Sequence, residues 1–229
     1  YNDAFMAAVK SFYYQRINFD KTATYAGNWA DAACYEGANQ DKHARSILDP
    51  TNAALEMDLS GGWFDAGDYN KYTNPAALTL RALLSAYYHN QVGLSRDDLN
   101  IPESGNGIPD ILDEIKWEMD WLLKMQLPSS HADAGAVLHK LSSTSFSQHK
   151  SPPSTSTEAR YYAPPTTGAT ASACAAFALG SIVYDLLPSP SMQSYADQLK
   201  NAAISAWNYL DQNKAYSDYD NAGFSTARF

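Results

Sequence analysis

Cysteine is scarce in this 229-residue chain, and so is charge. Only Cys34 and Cys174 are present, enough for one disulfide or two buried thiols, and spacing alone leaves both readings open. The two cannot form a disulfide framework or a cysteine metal cluster, and no pair of His, Cys, Asp or Glu has the spacing of a metal-ligand motif. Charged residues make up 18%, below the usual quarter. With a formal net charge of -9, the balance argues against a nucleic-acid backbone or an anionic membrane as partner. No N-terminal signal segment and no apolar run of bilayer-spanning length is evident. Glycine runs of the phosphate-cradling or dinucleotide type are missing, and no Ser/His/Asp arrangement stands out. Ser147-Gln148-His149 lies in low-information sequence, and His131, His139 and His149 are too irregularly placed for a metal site.

Aromatic rings are plentiful, with 16 Tyr, 5 Trp and 8 Phe. Rings with a polar handle suit sugar faces as well as ordinary cores. Periodicity predicts mainly helices. DAFMAAVKSFYYQR places Phe5, Ala8, Val9 and Phe12 on one face. Asn74-Pro75 reads as an N-cap followed by proline at the first helical position, and Ala77, Leu80, Leu84 and Tyr87 carry that helix to about Asn90. A third helix spans about Pro109 to Gln126, with Leu112, Ile115, Met119 and Leu122 as its apolar stripe and Asp113, Glu114 and Glu118 as polar positions. Two more are expected near Thr170–Leu187 and Ser191–Leu210. The first of these is alanine-rich (Ala171, Ala173, Ala175, Ala176, Ala178), which permits close helix approach. Val137 to Leu141 reads as a short strand, and STSFSQHKSPPSTSTEAR as a long surface loop or a linker. The class is an all-α helical array with functional loops at one end.

The densest chemistry lies in GGWFDAGDYNKY, from Gly61 to Tyr72. Asp65 and Asp68 stand three residues apart on a glycine-rich turn, where both carboxylates could address one water, one as base and one as orienting partner. An ordinary turn or an oxygen-rich calcium loop uses the same letters. Trp63, Phe64, Tyr69 and Tyr72 could form a sugar platform or anchor the loop to the core. Glu103, in PESGNG, reads as a residue that holds its loop together.

Several motifs in order extend this reading: GGWFDAGDYNKY, then IPESGNGIPDILDEIKWEMDWLLKMQ, then GAVLHK and ARYYAPPTTGATASACAAFA. Together they resemble the inverting glycoside hydrolases of family 9, cellulases and related β-glucanases, over roughly Phe12 to Leu210. The resemblance implies an (α/α)6 barrel and inverting hydrolysis of β-1,4-glucan by a secreted enzyme that needs no cofactor for its chemistry. It places Asp68 as general base and Asp65 as its helper, and sets His139 and Arg160 in family segments as substrate-binding or loop-positioning residues; Tyr69, to which the motif assigns no role, is a candidate substrate-binding residue of the cleft. FYYQR resembles the handover from an immunoglobulin-like module. Zinc is not expected, because Cys34 is followed by Tyr35 where zinc-binding relatives carry a Cys-His pair, and structural calcium belongs to parts outside these residues. No late glutamate motif for the general acid follows Asp68. Residues 1–229 are therefore expected to be the N-terminal part of a catalytic domain, completed by a second segment or chain. An exo-acting cellodextrinase or glucosaminidase on the same scaffold, and a noncatalytic carbohydrate-binding helical protein, are the alternative readings.

Overall fold

The computed structural model describes residues 2–146 and 150–229; the Ser147-Gln148-His149 reading lies outside them. Five long helices carry the described fold: α1 Asn2–Gln15, α3 Thr73–His89, α4 Asp110–Lys124, α5 Thr167–Asp185 and α6 Pro190–Gln212, with a single-turn helix α2 at Ala23–Ala26. The neighbours run α1, α4, α3, α5, α6. Strands are very short. β1 Arg45–Ser46, β5 Tyr161–Tyr162, β4 Lys140–Ser142 and β2 Lys71–Tyr72 form one small sheet in that order, and β3 Val137–Leu138 pairs with β6 Pro165–Thr166. The expected strand from Val137 to Leu141 is thus split at His139 between two sheets.

The helical stripes of α3 and α4 pack as their spacing predicts. Ala77, Leu80, Leu84 and Tyr87 of α3 are buried, as are Leu112, Ile115, Met119 and Leu122 of α4. Each fully buried large aliphatic side chain contributes roughly 1.5–3 kcal/mol. On α1, Val9 is buried and Phe5 and Phe12 pack against the core, whereas Ala8 faces solvent. On α5 only Ala173 and Ala176 of the five alanines named above are buried. Gly180 also admits close neighbours, since a Cβ there would lie 2.9 Å from Leu199 and 3.0 Å from Met119.

Other expectations change. α3 begins at Thr73, capped by Tyr72 without a side-chain bond. Pro75 then falls in the first turn, where backbone N–H groups have no helical partner anyway. Glu114 and Glu118 of α4 are not solvated polar positions but buried residues, 0% and 1% exposed. α5 is, by length and composition, a described helix apolar enough to cross a bilayer, contrary to the sequence reading. Half of that window is buried inside the protein, the setting of a core helix packed between α3 and α6. Both cysteines are free thiols.

Three buried ion pairs explain the charged interior. Arg16, fully buried, pairs with the buried Glu114 at 3.0 Å and in addition donates to both oxygens of the half-buried Glu103 at 2.9 Å. Its guanidinium lies 4.8 Å from the Trp117 ring and 5.1 Å from Phe19. Glu103 therefore fastens its loop to the end of α1. The second and third pairs share Asp41, which meets Lys71 Nζ at 2.7 Å and Arg160 Nε at 3.4 Å. Lys71 also donates to the carbonyls of Leu59 and Gly61, at 2.7 and 2.8 Å.

Gly61 and Gly62 carry the chain past α4 at φ of +90° and +78°. A Cβ on Gly62 would sit 2.7 Å from the Trp121 ring and 2.9 Å from the Glu118 carboxylate. Gly62→Ala therefore combines a left-handed alanine with overpacking against a buried indole, and should cost about 2–4 kcal/mol. Denaturant unfolding of the whole protein measures it, and an unchanged midpoint would contradict this account.

Candidate active site

The segment after Gly62 is pinned before it reaches its carboxylates. Ile17 N–H donates to Gly62 O and Phe64 N–H to Gln15 O, so the chain runs beside the end of α1. Trp63 N–H donates to the buried Glu118 carboxylate. Asp65 N–H then bonds Asn70 O at 2.9 Å, closing a six-residue loop, and Tyr69 N–H bonds Ala66 O at 3.0 Å inside it. The left-handed residue is Tyr69, at φ +52°, and not Gly67. A bulky residue resists that conformation. Arg160 Nη1 donates to Tyr69 O at 2.8 Å, and the Arg160 guanidinium rests 4.2 Å from the Tyr35 ring.

Asp68 is buried at the base of this loop. Its carboxylate accepts from Tyr72 Oη–H at 2.8 Å and Asn70 Nδ2–H at 2.9 Å on Oδ2, and from Asn70 N–H at 3.3 Å on Oδ1. Asn70 is itself oriented by Ser143 N–H, which donates to its Oδ1 at 2.9 Å. The pairing of β2 with β4 sets this arrangement, placing Tyr72 opposite Lys140 and Lys71 opposite Leu141. Lys140 Nζ stands 5.7 Å from the Tyr72 ring and donates to Ala227 O at 2.7 Å. The C-terminal residues return here as well, with the Phe229 ring edge-on to Tyr72 at 5.1 Å.

Electrostatics divides the two aspartates. Asp65 is the exposed one, yet its pKa is raised, first by desolvation within the loop and then by the negative charge of Asp68. Lys140 is pulled down to about 8 by burial, against the Asp68 charge, which raises it. Burial and the Asp68 carboxylate both push the Tyr72 phenol up, so it stays a donor. Beneath the loop, burial raises Glu118 to about 8 and lowers Lys71 to about 8. A cleft of about 260 Å³ opens beside Asp65, walled by Phe12, Trp63, Phe64 and Tyr72 with Glu118 at its floor.

The sequence candidates separate in space. Asp65, Asp68 and Tyr69 share the loop, and Arg160 reaches it from below through the Tyr69 carbonyl. His139 does not reach it. Its Nε2 donates to Arg228 O at 2.6 Å and its Nδ1 faces Thr166 Oγ1 at 3.2 Å, and burial lowers its pKa. Trp63, Tyr69 and Tyr72 are all buried, so these rings anchor the loop to the core while the surface they leave open lines the neighbouring clefts. Asn70, Ser143, Lys140 and Asp41 were not singled out from sequence. Asn70 had a signal, since a residue two after an aspartate is placed for an Asx turn. The others come from remote segments and had none. Among the described residues no group of three or more His, Cys, Asp or Glu side chains could hold a metal ion.

The match to known proteins is extensive. The model of glycosyl hydrolase family 9 matches residues 1–228. The chain belongs to this family. It is 34% identical over 231 residues to Endoglucanase D of Acetivibrio thermocellus, covering 100% of this chain and 35% of that protein. A Bacteroides ovatus family 9 structure superposes with a TM-score of 0.85 at 28% identity, over 98% of this chain and 41% of its own. A thermostable endoglucanase from Alicyclobacillus acidocaldarius gives a TM-score of 0.83 at 27% identity, over 100% and 40%. The helices are accordingly part of the (α/α)6 toroid, and the chain spans about a third to two fifths of these three proteins.

Neutralising Asp68 tests the coupling of the loop charges. In Asp68→Asn, the pKa of Asp65 should fall toward the ordinary aspartate range, because a like charge has gone. That of Lys140 should fall further below 8, because an attractive charge has gone. Carboxyl and lysine Cε NMR titrations read both shifts, and movement of either group in the opposite direction would refute the arrangement.

Proposed function

We propose that the whole protein hydrolyses β-1,4-glycosidic bonds of cellulose or related β-glucans with inversion, Asp68 acting as general base and Asp65 helping to hold the nucleophilic water. The observation that carries this reading is the Asp65–Asn70 loop. One carboxylate is fixed by three donated hydrogen bonds, and a second, with a raised pKa, stands three residues away beside an aromatic-walled cleft. Family membership supports the reaction class.

In the proposed step, water lies against the face of the sugar opposite the leaving group. Asp68 takes its proton as the oxygen attacks the anomeric carbon, the C–O glycosidic bond breaks, and the leaving oxygen receives a proton from a general acid. Inverting enzymes separate the two carboxyl groups by roughly 6.5–9.5 Å to admit that water. The acid is assigned to a glutamate outside these residues, together with the remaining barrel helices. Supporting this are the partial span against relatives and the exposed apolar side chains Ile182, Ile204 and Trp207 on α5 and α6. Tyr69 is proposed as a cleft residue and Arg160 as a positioning residue that holds the loop. His139 is proposed to fix the returning C-terminal residues. An extracellular site of action follows from a polymeric substrate that cannot enter a cell.

Early-time proton NMR of the products of the whole protein should show the α-anomer first, and initial β-anomer would reject the mechanism. Asp68→Asn should lower kcat by about a hundredfold or more, with a much smaller change in substrate binding. Near-normal turnover would remove Asp68 from the base role.

A further inference from the structure

A second cleft, of about 440 Å³, adjoins the catalytic loop on its far side. That volume falls within the range of ligand sites. Its walls are Trp29, Tyr14, Phe64 and Tyr69 on one side and Pro152 and Pro153 on the other. Phe64 lines this cleft and the 260 Å³ cleft beside Asp65 alike, so the two depressions share a wall at the residue preceding the first aspartate.

Trp29 is 76% exposed, and its loop is nevertheless tightly closed. Lys21 N–H donates to Asp31 O at 2.9 Å and Asp31 N–H returns to Lys21 O at 3.0 Å, forming a neck for residues 22–30. Ala33 N–H bonds the Asp20 carboxylate at 2.7 Å. The Asp31 carboxylate accepts from Ser154 N–H at 3.0 Å and from the Ser154 hydroxyl, fastening the Trp29 loop to the opposite wall. Lys21, buried in the neck, donates its Nζ to Arg16 O at 2.7 Å. Trp207, the other strongly exposed indole, sits on the α6 face instead.

We propose that this cleft is an outer sugar-binding subsite, in which Trp29 stacks on a pyranose ring of a β-1,4-glucan beyond those held at the Asp65–Asp68 loop. The proposal rests on the glucanase reading above. Glucan rings present apolar C–H faces and a polar equatorial edge, and the cleft offers the matching pair: aromatic walls with the polar groups of Asn28, Asp31 and Ser151 at its rim. A loop already closed loses little backbone freedom when a sugar stacks on its tryptophan. The neighbouring position of the two clefts on either side of Phe64 favours a polymer that spans both over a small separate ligand.

The test uses the whole protein carrying Asp68→Asn, so that oligosaccharides bind without being consumed, with calorimetry on cellotriose and cellohexaose. Adding Trp29→Ala should weaken cellohexaose about tenfold and cellotriose by less than about twofold, while Trp29→Phe retains most of the hexaose affinity. The melting temperature should stay within about a degree, because the side chain is exposed. Unchanged hexaose affinity overturns the proposal. So does a parallel loss on both lengths with a melting temperature lowered by several degrees, which would show Trp29 packed beneath another part of the protein. Reducing-sugar release with native Asp68 separates the two readings. Length-selective binding through Trp29 without hydrolysis retains the subsite and rejects the glucanase, whereas hydrolysis with no length dependence on Trp29 does the reverse.

Discussion

The Asp41 carboxylate, buried between Lys71 and Arg160, holds the architecture of the site together. Each of its two cations extends a second contact to the segment that carries Asp65 and Asp68, Lys71 to the Leu59 and Gly61 carbonyls ahead of it and Arg160 to the Tyr69 carbonyl near its end. One anion therefore fixes both flanks of the Asp65–Asn70 loop. Leaving one member of such a buried pair uncompensated costs about 3–5 kcal/mol, comparable with the strain of holding Tyr69 in a left-handed conformation. The charges are retained inside the protein because the backbone carbonyls they bind have no helix or sheet to satisfy them.

Much of the helical framework was legible from spacing. The stripes of α3 and α4 are ordinary 3.6-residue patterns whose every apolar member is buried, and the loop with Asp65 and Asp68 stood out by its glycines and rings. Motif order identified the family, which composition did not. What stayed hidden depends on contacts distant in sequence. Glu114 and Glu118 look like solvent positions because their partners, Arg16, Trp63 and Lys71, lie far along the chain. Asp41 carries no local pattern at all. The start of α3 was misread because Asn74-Pro75 imitates a cap, while the pairing of Tyr72 with Lys140 in the sheet decides where the helix begins. The alanines of α5 pointed to close packing in the right helix, where Ala173 and Ala176 are buried and Gly180 joins them.

The short strands serve a purpose disproportionate to their length. Two- and three-residue ladders would not stand alone. Laid across the ends of helices, they bring the segments around residues 45, 71, 141 and 161 into one register. The Asp68 carboxylate, Asn70 amide and Tyr72 phenol of one segment are thereby held against Ser143 of another at hydrogen-bonding distances that loops by themselves would average away. This is a helical scaffold whose precision at the site comes from a small sheet.

The donors around Asp68 are unequally shared between its two oxygens. Oδ2 takes the Tyr72 hydroxyl and the Asn70 amide, while among the described residues Oδ1 has only the longer contact from the Asn70 backbone. In the proposed reaction one carboxylate thus divides its labour. Oδ2 is a fixed pivot that sets direction, and Oδ1 keeps lone-pair density to receive a proton. When that proton arrives, the anchored oxygen need not move, and the loop begins the next turnover already aimed.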